Sequence, residues 1–384
     1  MENRLWNKKY ICLIIVNTFS SFSFYMITTI LTTYLVGIGS TVSVGGVIVG
    51  LFSVTSLIVR PFTGYISDNY NKKFLLLAGL LVTALGILGY VSTQNLMILT
   101  VFRVIHGVAF ALLSTAIVAM ASMYIPQTRF SEGIGYLGLG QIIASAIGPG
   151  IGVSVMNQFG IRYSFFISAA FAAGGILPLL LFPNGHTGKR EKFSLKFSNI
   201  FCREALNNAC ISGIYSFGNG VISSFLVLFA LTKGIHNVSI YFTVCAVFLF
   251  AVRPFTGKIV DKIPVSYIVY PGLCMSVLSM VILANADHMA GIILSAVIRS
   301  IAQGAVQPVL QAECIQKAGI EKSGVATSTY YLGGDIGQGL GPMLGGVIAG
   351  TLGYQANFYF CALLFIAGAF IFYIGRRGEK THGK

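Results

Sequence analysis

The sequence predicts an all-α membrane protein in which twelve transmembrane helices form two pseudo-symmetric six-helix bundles. Three observations predict it: a composition nearly empty of charge, twelve apolar runs of spanning length, and motifs that recur at a fixed offset. Of 384 residues 55% are hydrophobic and only 9% charged, with a mean hydropathy of +0.81, whereas a soluble domain carries about 25% charged residues. That composition excludes a water-soluble enzyme. The 25 Lys and Arg against 11 Asp and Glu give a formal charge of +14, whose meaning depends on where the cations sit.

A membrane-spanning helix needs roughly 20 mostly apolar residues. Cutting the chain where polar or charged residues interrupt runs of that length leaves twelve segments, numbered one to twelve in order. The first six fall at roughly 10–36, 44–67, 74–92, 97–124, 133–157 and 163–183. The second six fall at roughly 205–231, 238–260, 265–285, 290–316, 323–350 and 355–375. Gly and Pro inside them are tolerated because neighbouring helices allow close backbone approach and satisfy freed backbone groups. Arg4, Lys8 and Lys9 before an apolar stretch imitate a signal peptide, but the uncharged run from Tyr10 to Val59 is too long for one. Seven scattered cysteines without a CxxC suggest neither a disulfide framework nor a zinc site.

The cations fix the expected orientation. With the N-terminus cytoplasmic, nineteen Lys and Arg, from Arg4 to Lys384, fall on the inner side, and the outer loops hold only Arg162 and Lys233. The positive-inside rule then places both termini in the cytoplasm. The surplus is topology and attraction to anionic headgroups of the lipid bilayer, so no nucleic-acid partner is called for. The longest polar interruption gives the expected organisation: an N-terminal bundle over 1–183, a cytoplasmic linker over 184–204 and a C-terminal bundle with a short tail over 205–384.

The two halves are related. Arg60-Pro61-Phe62-Thr63-Gly64 recurs as Arg253-Pro254-Phe255-Thr256-Gly257 at an offset of 193, and Asp68 and Asp261 follow at the same offset. Gly148-Pro149 in segment five recurs as Gly341-Pro342 in segment eleven, again 193 apart. A polar stripe on segment one (Asn17, Ser21, Thr28) answers to Asn208, Ser212 and Asn219 on segment seven at an offset of 191. Three matches in nearly one register argue for an ancient duplication of the kind transporter folds are built from.

Together these features resemble the major facilitator superfamily over essentially the whole chain, and within it the twelve-helix drug/proton antiporter group. The loop after segment two resembles the signature GxxxDxxx(R/K)(R/K), here Gly64, Asp68, Lys72 and Lys73, with Asn69 and Asn71 where the family usually has Arg and Gly. Segment four resembles RxxQG with Arg103 and Gly107, but His106 replaces the glutamine. In segment five, Gly148, Pro149 and Gly152 resemble the antiporter motif GxxxGPxxGG, with Ala144 and Val153 at two glycine positions. The complete motif stands in segment eleven, as Gly337, Gly341, Pro342, Gly345 and Gly346.

Asp335 is the one carboxylate that the sequence places well inside a span, with Tyr331 and Gln338 a turn to either side. An ionised carboxylate among lipid tails costs several kcal/mol, so Asp335 faces a cavity, is protonated, or pairs with a cation. The first two suit proton coupling or substrate contact, and the last is purely structural. Arg103 and Arg299 sit at similar depth in segments four and ten. Each offers a permanent bidentate fork for carboxylate or phosphate, or packs with its guanidinium capped by backbone carbonyls. The resemblance gives Arg103 a role in proton transfer. His106 either titrates there or packs. Arg60 and Arg253 are expected to snorkel towards the interface.

By the resemblance, Asp68 and Asp261 with Gly64, Lys72, Lys73, Arg129 and Glu132 form a cytoplasmic gating network that stabilises an outward-facing state; the other reading is an ordinary solvated loop. The stripes of segments one and seven, with Tyr25 and Tyr215 alongside, line a central substrate cavity to which Arg299, Tyr331 and Gln338 are also assigned; the other reading is helix-to-helix hydrogen bonding. Gly148, Pro149, Gly341 and Pro342 are points of close packing and bending.

The expected function is a plasma-membrane secondary transporter that moves a small solute by alternating access, as efflux by solute/proton antiport. No nucleotide-binding loop is present. The expected partners are the solute, protons and the bilayer, with no cofactor or metal, and the protein is expected to be a monomer. Four interior arginines, Arg60, Arg103, Arg253 and Arg299, against Asp335 favour a different cargo for an exporter or symporter: an anionic or zwitterionic metabolite or a metal chelator. A non-transporting membrane sensor is the remaining, more remote reading.

Overall fold

The computed structural model describes residues 4–40, 42–180 and 200–382; most of the expected linker lies outside the described residues. Lipid offers the backbone no hydrogen bonds, so each spanning segment must satisfy its own. Among the described residues there are α-helices and short 3₁₀ turns and no strands.

In the first half the helices are α1 (Lys8–Gly37), α2 (Val42–Asn69), α3 (Lys72–Ser92), α4 (Leu96–Ala121), α5 (Phe130–Leu137), α6 (Leu139–Phe159), α7 (Ile161–Gly174) and α8 (Ile176–Leu180). In the second half they are α9 (Leu206–Thr232), α10 (Ile240–Val260), α11 (Ser266–Ala284), α12 (Met289–Ala318), α13 (Ser323–Leu352) and α14 (Tyr354–His382). Segment five is thus a short helix followed by a long one, and segment six is interrupted at Gly175.

Eleven spans among the described residues are long and apolar enough to cross a membrane. Helix α13 is not among them although it has 30 residues. Its glycines, Asp335 and Gln338 dilute its apolar character. Large apolar side chains are exposed along the helices, Met97, Phe255 and Phe370 among them, as suits surfaces that face lipid.

Local sequence explains the helix ends. Asn71 caps α3, its Oδ1 accepting from the N–H groups of Lys73 at 3.0 Å and Phe74 at 3.3 Å. Asn95 caps α4 in the same way through Met97 and Ile98. Asn69 donates to the carbonyl of Tyr65 at 3.1 Å. The two departures from the loop signature are therefore structural residues at the α2–α3 junction. Gly160 (φ 97°) and Gly353 (φ 85°) turn the chain from α6 into α7 and from α13 into α14. They too are 193 residues apart, and their N–H groups donate to Met156 and Ala349, which share that offset.

The chain forms two compact units: residues 1–127 with 136–201 and 319–328, and residues 128–135 with 202–318 and 329–384. Two short segments therefore depart from chain order. The same helix pairs recur in each unit: α2 on α4 and α10 on α12, α3 on α4 and α11 on α12, α3 on α7 and α11 on α14, α1 on α7 and α9 on α14. In the first unit Ile27, Ile30, Leu31, Ile87, Tyr90 and Phe165 form a continuous core between α1, α3 and α7.

A ladder of small residues sets the fifth pairing. A Cβ at Gly140, Gly148 or Gly152 of α6 would run into Thr18, Tyr25 or Met26 of α1. One at Gly333, Gly337, Gly341 or Gly345 of α13 would run into Ala209, Gly213, Phe217 or Phe225 of α9. The rungs fall every four residues, which keeps them on one helix face, and small residues there let the two backbones touch.

Candidate functional site

In the first unit, α4 turns Arg103, His106 and Gly107 inward. Gly107 lets the helix lie against α2, since a Cβ there would come within 2.9 Å of the Phe52 carbonyl oxygen. Arg103 is 2% exposed. Its Nε and Nη2 donate to the Val49 carbonyl at 3.3 and 3.0 Å, and its guanidinium lies 4.6 Å from the Phe52 ring centroid. Nη1 has no hydrogen-bond partner among the described residues, and the Tyr90 hydroxyl lies beside the guanidinium. His106 is enclosed, its Nδ1 3.1 Å from the Tyr90 hydroxyl and its ring edge-on to Phe52. Arg103, His106 and Tyr90 thus form one buried polar group.

Its counterpart in the second unit is Arg299 on α12, 4% exposed. Nη2 donates to Asn219 Oδ1 of α9 at 2.5 Å, Nε has no hydrogen-bond partner among the described residues, and the Tyr241 hydroxyl lies nearby. No carboxylate lies within ion-pair distance of Arg103 or Arg299 among the described residues. Among the described residues, each unit therefore buries an arginine with no acid at ion-pair distance.

The stripe residues divide. Asn17 donates to the Leu137 carbonyl at 2.7 Å, where α5 ends. Ser21 and Thr28 donate back to Asn17 and Tyr25 on their own helix. Tyr25 accepts from Gln141 at 3.4 Å. Ser212 is buried and Asn219 holds Arg299. Two residues expected at a cavity wall are enclosed within the second unit instead. Tyr215 is fully buried against Phe365 and accepts from Ser276 at 3.0 Å. Asn208 is 1% exposed and donates to the Leu310 carbonyl and to Glu313. Both sit on the face of α9 turned to its own bundle, where helix spacing alone does not say which neighbour they meet. Arg60 differs from expectation in the same way: it does not snorkel but is buried, donating to Ser114 at 2.8 Å and lying over the Phe110 ring.

Asp335 is half-buried on α13. Tyr331, one turn before it, accepts from Gln311 at 3.0 Å, while Gln338 is exposed. A second carboxylate, Glu313, is 7% exposed within α12. It accepts from Asn208 at 2.9 Å and pairs with Arg376 at 2.6 Å and Lys317 at 3.3 Å. Its spacing of four from Lys317 was the available signal.

The expected gating residues form two separate latches of one design. Asp68 at the end of α2 accepts from the N–H groups of Gly324 and Val325, at 2.7 and 2.9 Å, at the start of α13. Lys72 and Lys322 lie near its carboxylate. Asp261, just past α10, accepts from Ser131 and Glu132, at 2.9 and 3.2 Å, at the start of α5. Acceptors and donors are both related by 193. A helix start carries unpaired N–H groups and the positive end of the helix dipole, which a carboxylate satisfies together. Gly64 and Gly257 permit the approach: a Cβ on either would strike Val325 or Glu132.

Arg129 and Glu132 accordingly belong with Asp261 and not with Asp68, joined to each other by a two-pronged pair at 2.6 and 2.7 Å. Burial pushes the Asp261 carboxyl above the usual carboxylate range, and the N–H groups of Ser131 and Glu132 draw it back. Among the described residues no cluster of three His, Cys, Asp or Glu is arranged to hold a metal.

A sequence-family model, Major Facilitator Superfamily, matches residues 13–341. The chain belongs to the Major Facilitator Superfamily. The superfamily fold is found in the structure of the human organic anion transporter MFSD10 (TETRAN), which this chain matches with a TM-score of 0.83 and 16% identity, over 95% of this chain and 99% of that one. The Staphylopine export protein of Staphylococcus aureus is 25% identical over 349 residues, 86% of each chain. The Multidrug resistance protein MdtG of Serratia proteamaculans is 26% identical over 334 residues, 83% of this chain and 81% of the relative. As a member of the Major Facilitator Superfamily the chain is a multi-pass membrane transporter and not an enzyme.

Proposed function

We propose that this transporter exports a small solute across the plasma membrane by alternating access, as solute/proton antiport, with both termini cytoplasmic. Its similarity to a staphylopine exporter and a multidrug resistance protein over more than four-fifths of their lengths supports export. The observation that carries proton coupling is Asp335, a half-buried acid about mid-way along α13, where losing and regaining a proton changes the charge of the span. Arg103 and His106 contribute to coupling, Asp68 and Asp261 hold one conformation, the two six-helix halves are the moving bodies, and the Gly-Pro sites of α6 and α13 let helices bend.

A second reading concerns the cargo. Among the described residues Arg103 and Arg299 have no acid partner, and a buried unpaired charge is costly, which favours a carboxylate- or phosphate-bearing solute over a lipophilic cation. One screen tests both readings. In proteoliposomes with an imposed pH gradient, the parent protein is expected to move protons with its solute, and Asp335→Asn is expected to abolish that movement. Proton movement undiminished in Asp335→Asn sinks the coupling assignment. Lipophilic cations that compete as well against Arg299→Gln as against the parent sink the anion reading.

A further inference from the structure

Glutamine recurs on α12 as Gln303, Gln307 and Gln311, each a turn from the last, and Arg299 stands a turn before the first. Residues four apart share a helix face, so the four make one polar strip. The apolar span that carries them runs from Met289 to Ala318. Gln303 is near its middle, and Gln311 lies about 12 Å further along at the usual helical rise. All three amides therefore lie within a hydrocarbon core about 30 Å thick. Gln303 is 8% exposed, whereas Gln307 and Gln311 are half-buried. An amide with unused hydrogen-bonding capacity is costly against lipid tails, so this part-exposed face of the second unit turns to water.

Two hydrogen bonds fix what each amide still offers. Gln303 Nε2 donates to Gln307 Oε1 at 3.1 Å, which occupies that oxygen and leaves the Gln307 N–H groups as donors. Gln311 Nε2 donates to the Tyr331 hydroxyl at 3.0 Å, leaving Oε1 as an acceptor. The Gln307 backbone is held too, its carbonyl accepting from Tyr330 at 2.9 Å. Among the described residues neither the Gln307 N–H groups nor Gln311 Oε1 has a hydrogen-bond partner. A donor and an acceptor thus stand about 6 Å apart along the helix, already oriented. Charges of both signs lie near the strip: Arg299 at its start, Arg253 near Tyr330, and Asp335 one turn past Tyr331 on α13.

Packing does not demand these amides. Gly304 brings α12 against Leu249 and Val252 of α10, as Gly107 brings α4 against Phe52 and Thr55 of α2. Counted from those glycines, the first unit carries Phe110 and Ser114 where the second carries Gln307 and Gln311. Phe110 packs on Phe24 and Phe52, and Ser114 accepts from Arg60. The same helix pair therefore closes without an amide at either position.

We propose that Gln307 and Gln311 determine specificity by binding the two ends of a zwitterionic amino-carboxylate solute. The Gln307 N–H groups donate to its carboxylate, on the side of the strip where Arg299 stands, and Gln311 Oε1 accepts from its ammonium. A solute with one charge satisfies one amide and leaves the other unanswered. A lipophilic solute leaves both. The proposal rests on the export reading in taking the bound solute as cargo, and it does not depend on proton coupling.

The test is isothermal titration of the purified full-length protein with γ-aminobutyrate, butyrate and butylamine, the first carrying both charges and the others one each. Binding is read without transport, so failure here is distinguishable from failure of the export reading. A hydrogen bond to a charged group is worth about tenfold or more in affinity, so the parent is expected to bind γ-aminobutyrate about tenfold tighter than either relative. Gln307→Met keeps the bulk and loses the donor. It should weaken γ-aminobutyrate and butyrate by about tenfold and leave butylamine roughly unchanged. Gln311→Met should show the opposite pattern, weakening γ-aminobutyrate and butylamine and sparing butyrate. Either variant alone carries the test should the other misfold. Gln158→Met, at an exposed glutamine of α6, should leave all three roughly unchanged. A parent without preference for γ-aminobutyrate, a variant of unchanged unfolding temperature that loses all three probes alike, or an equal loss in Gln158→Met would each overturn the proposal.

Discussion

Asp261 sits where burial and two backbone N–H groups act against each other on one carboxyl, and burial is the larger effect. Its folded-state pKa lies above the unfolded value, so the folded chain holds this proton to higher pH. The stability it contributes is present below the ordinary carboxylate pKa and is lost as pH rises through the raised one. Thermal unfolding of the purified protein over about pH 4 to 7 should therefore show a smaller decline with rising pH in Asp261→Asn than in the parent, and a steeper decline in the variant contradicts the assignment. This residue was legible in the sequence because it repeats Asp68 at the same offset. Glu313 was not. Standing four residues before Lys317 near the end of a run, it reads as a solvated pair, and only the fold brings Arg376 to it. Tyr215 and Asn208 were legible as polar positions on a helix but not by the neighbour they meet, because periodicity defines a face without defining its partner.

Helices were the most legible level, since each of the twelve expected segments is helical within the described residues. Their interruptions were less so: α5 gives way to α6 at Gly138 and α7 to α8 at Gly175, both in sequence that remains apolar. The glycines of α13 repeat every four residues because α9 lies directly against them. Gly337→Val should therefore lower stability by about 1–3 kcal/mol, the usual range for overpacking, read as a fall in unfolding temperature in detergent. Gly339, with nothing within 4 Å of a Cβ, is the control, and Gly339→Ala should be neutral or slightly stabilising. Equal losses at the two positions would show that the ladder is not a packing seam.

For the whole molecule, duplication predicts equal duties for equal parts. Asp68 and Asp261 each accept two N–H groups at the start of a helix encoded in the other half of the chain. Removing such an acceptor costs about 0.5–2 kcal/mol. Asp68→Ala and Asp261→Ala should lose similar amounts in thermal unfolding at neutral pH, and as distinct sites their losses should add in the double variant. A loss confined to one of them would mean that the repeat preserves geometry without preserving the load. The motif residues of both latches could be named from sequence. That each would reach across to the other half could not, because nothing in the spacing of a single chain says which helix start a carboxylate will find.

The two latches are equivalent in space and unequal in time. Asp261 meets residues 130 and 129 positions behind it, already made when it emerges from the ribosome. Asp68 meets residues 256 and 257 positions ahead, and at about 5–20 residues per second it waits roughly 13–50 s for them. During that interval the carboxylate at the end of α2 has no helix start to hold, while the start of α5 awaits its own acid. Of the two latches, the one that joins Asp68 to Gly324 and Val325 is therefore the later to close.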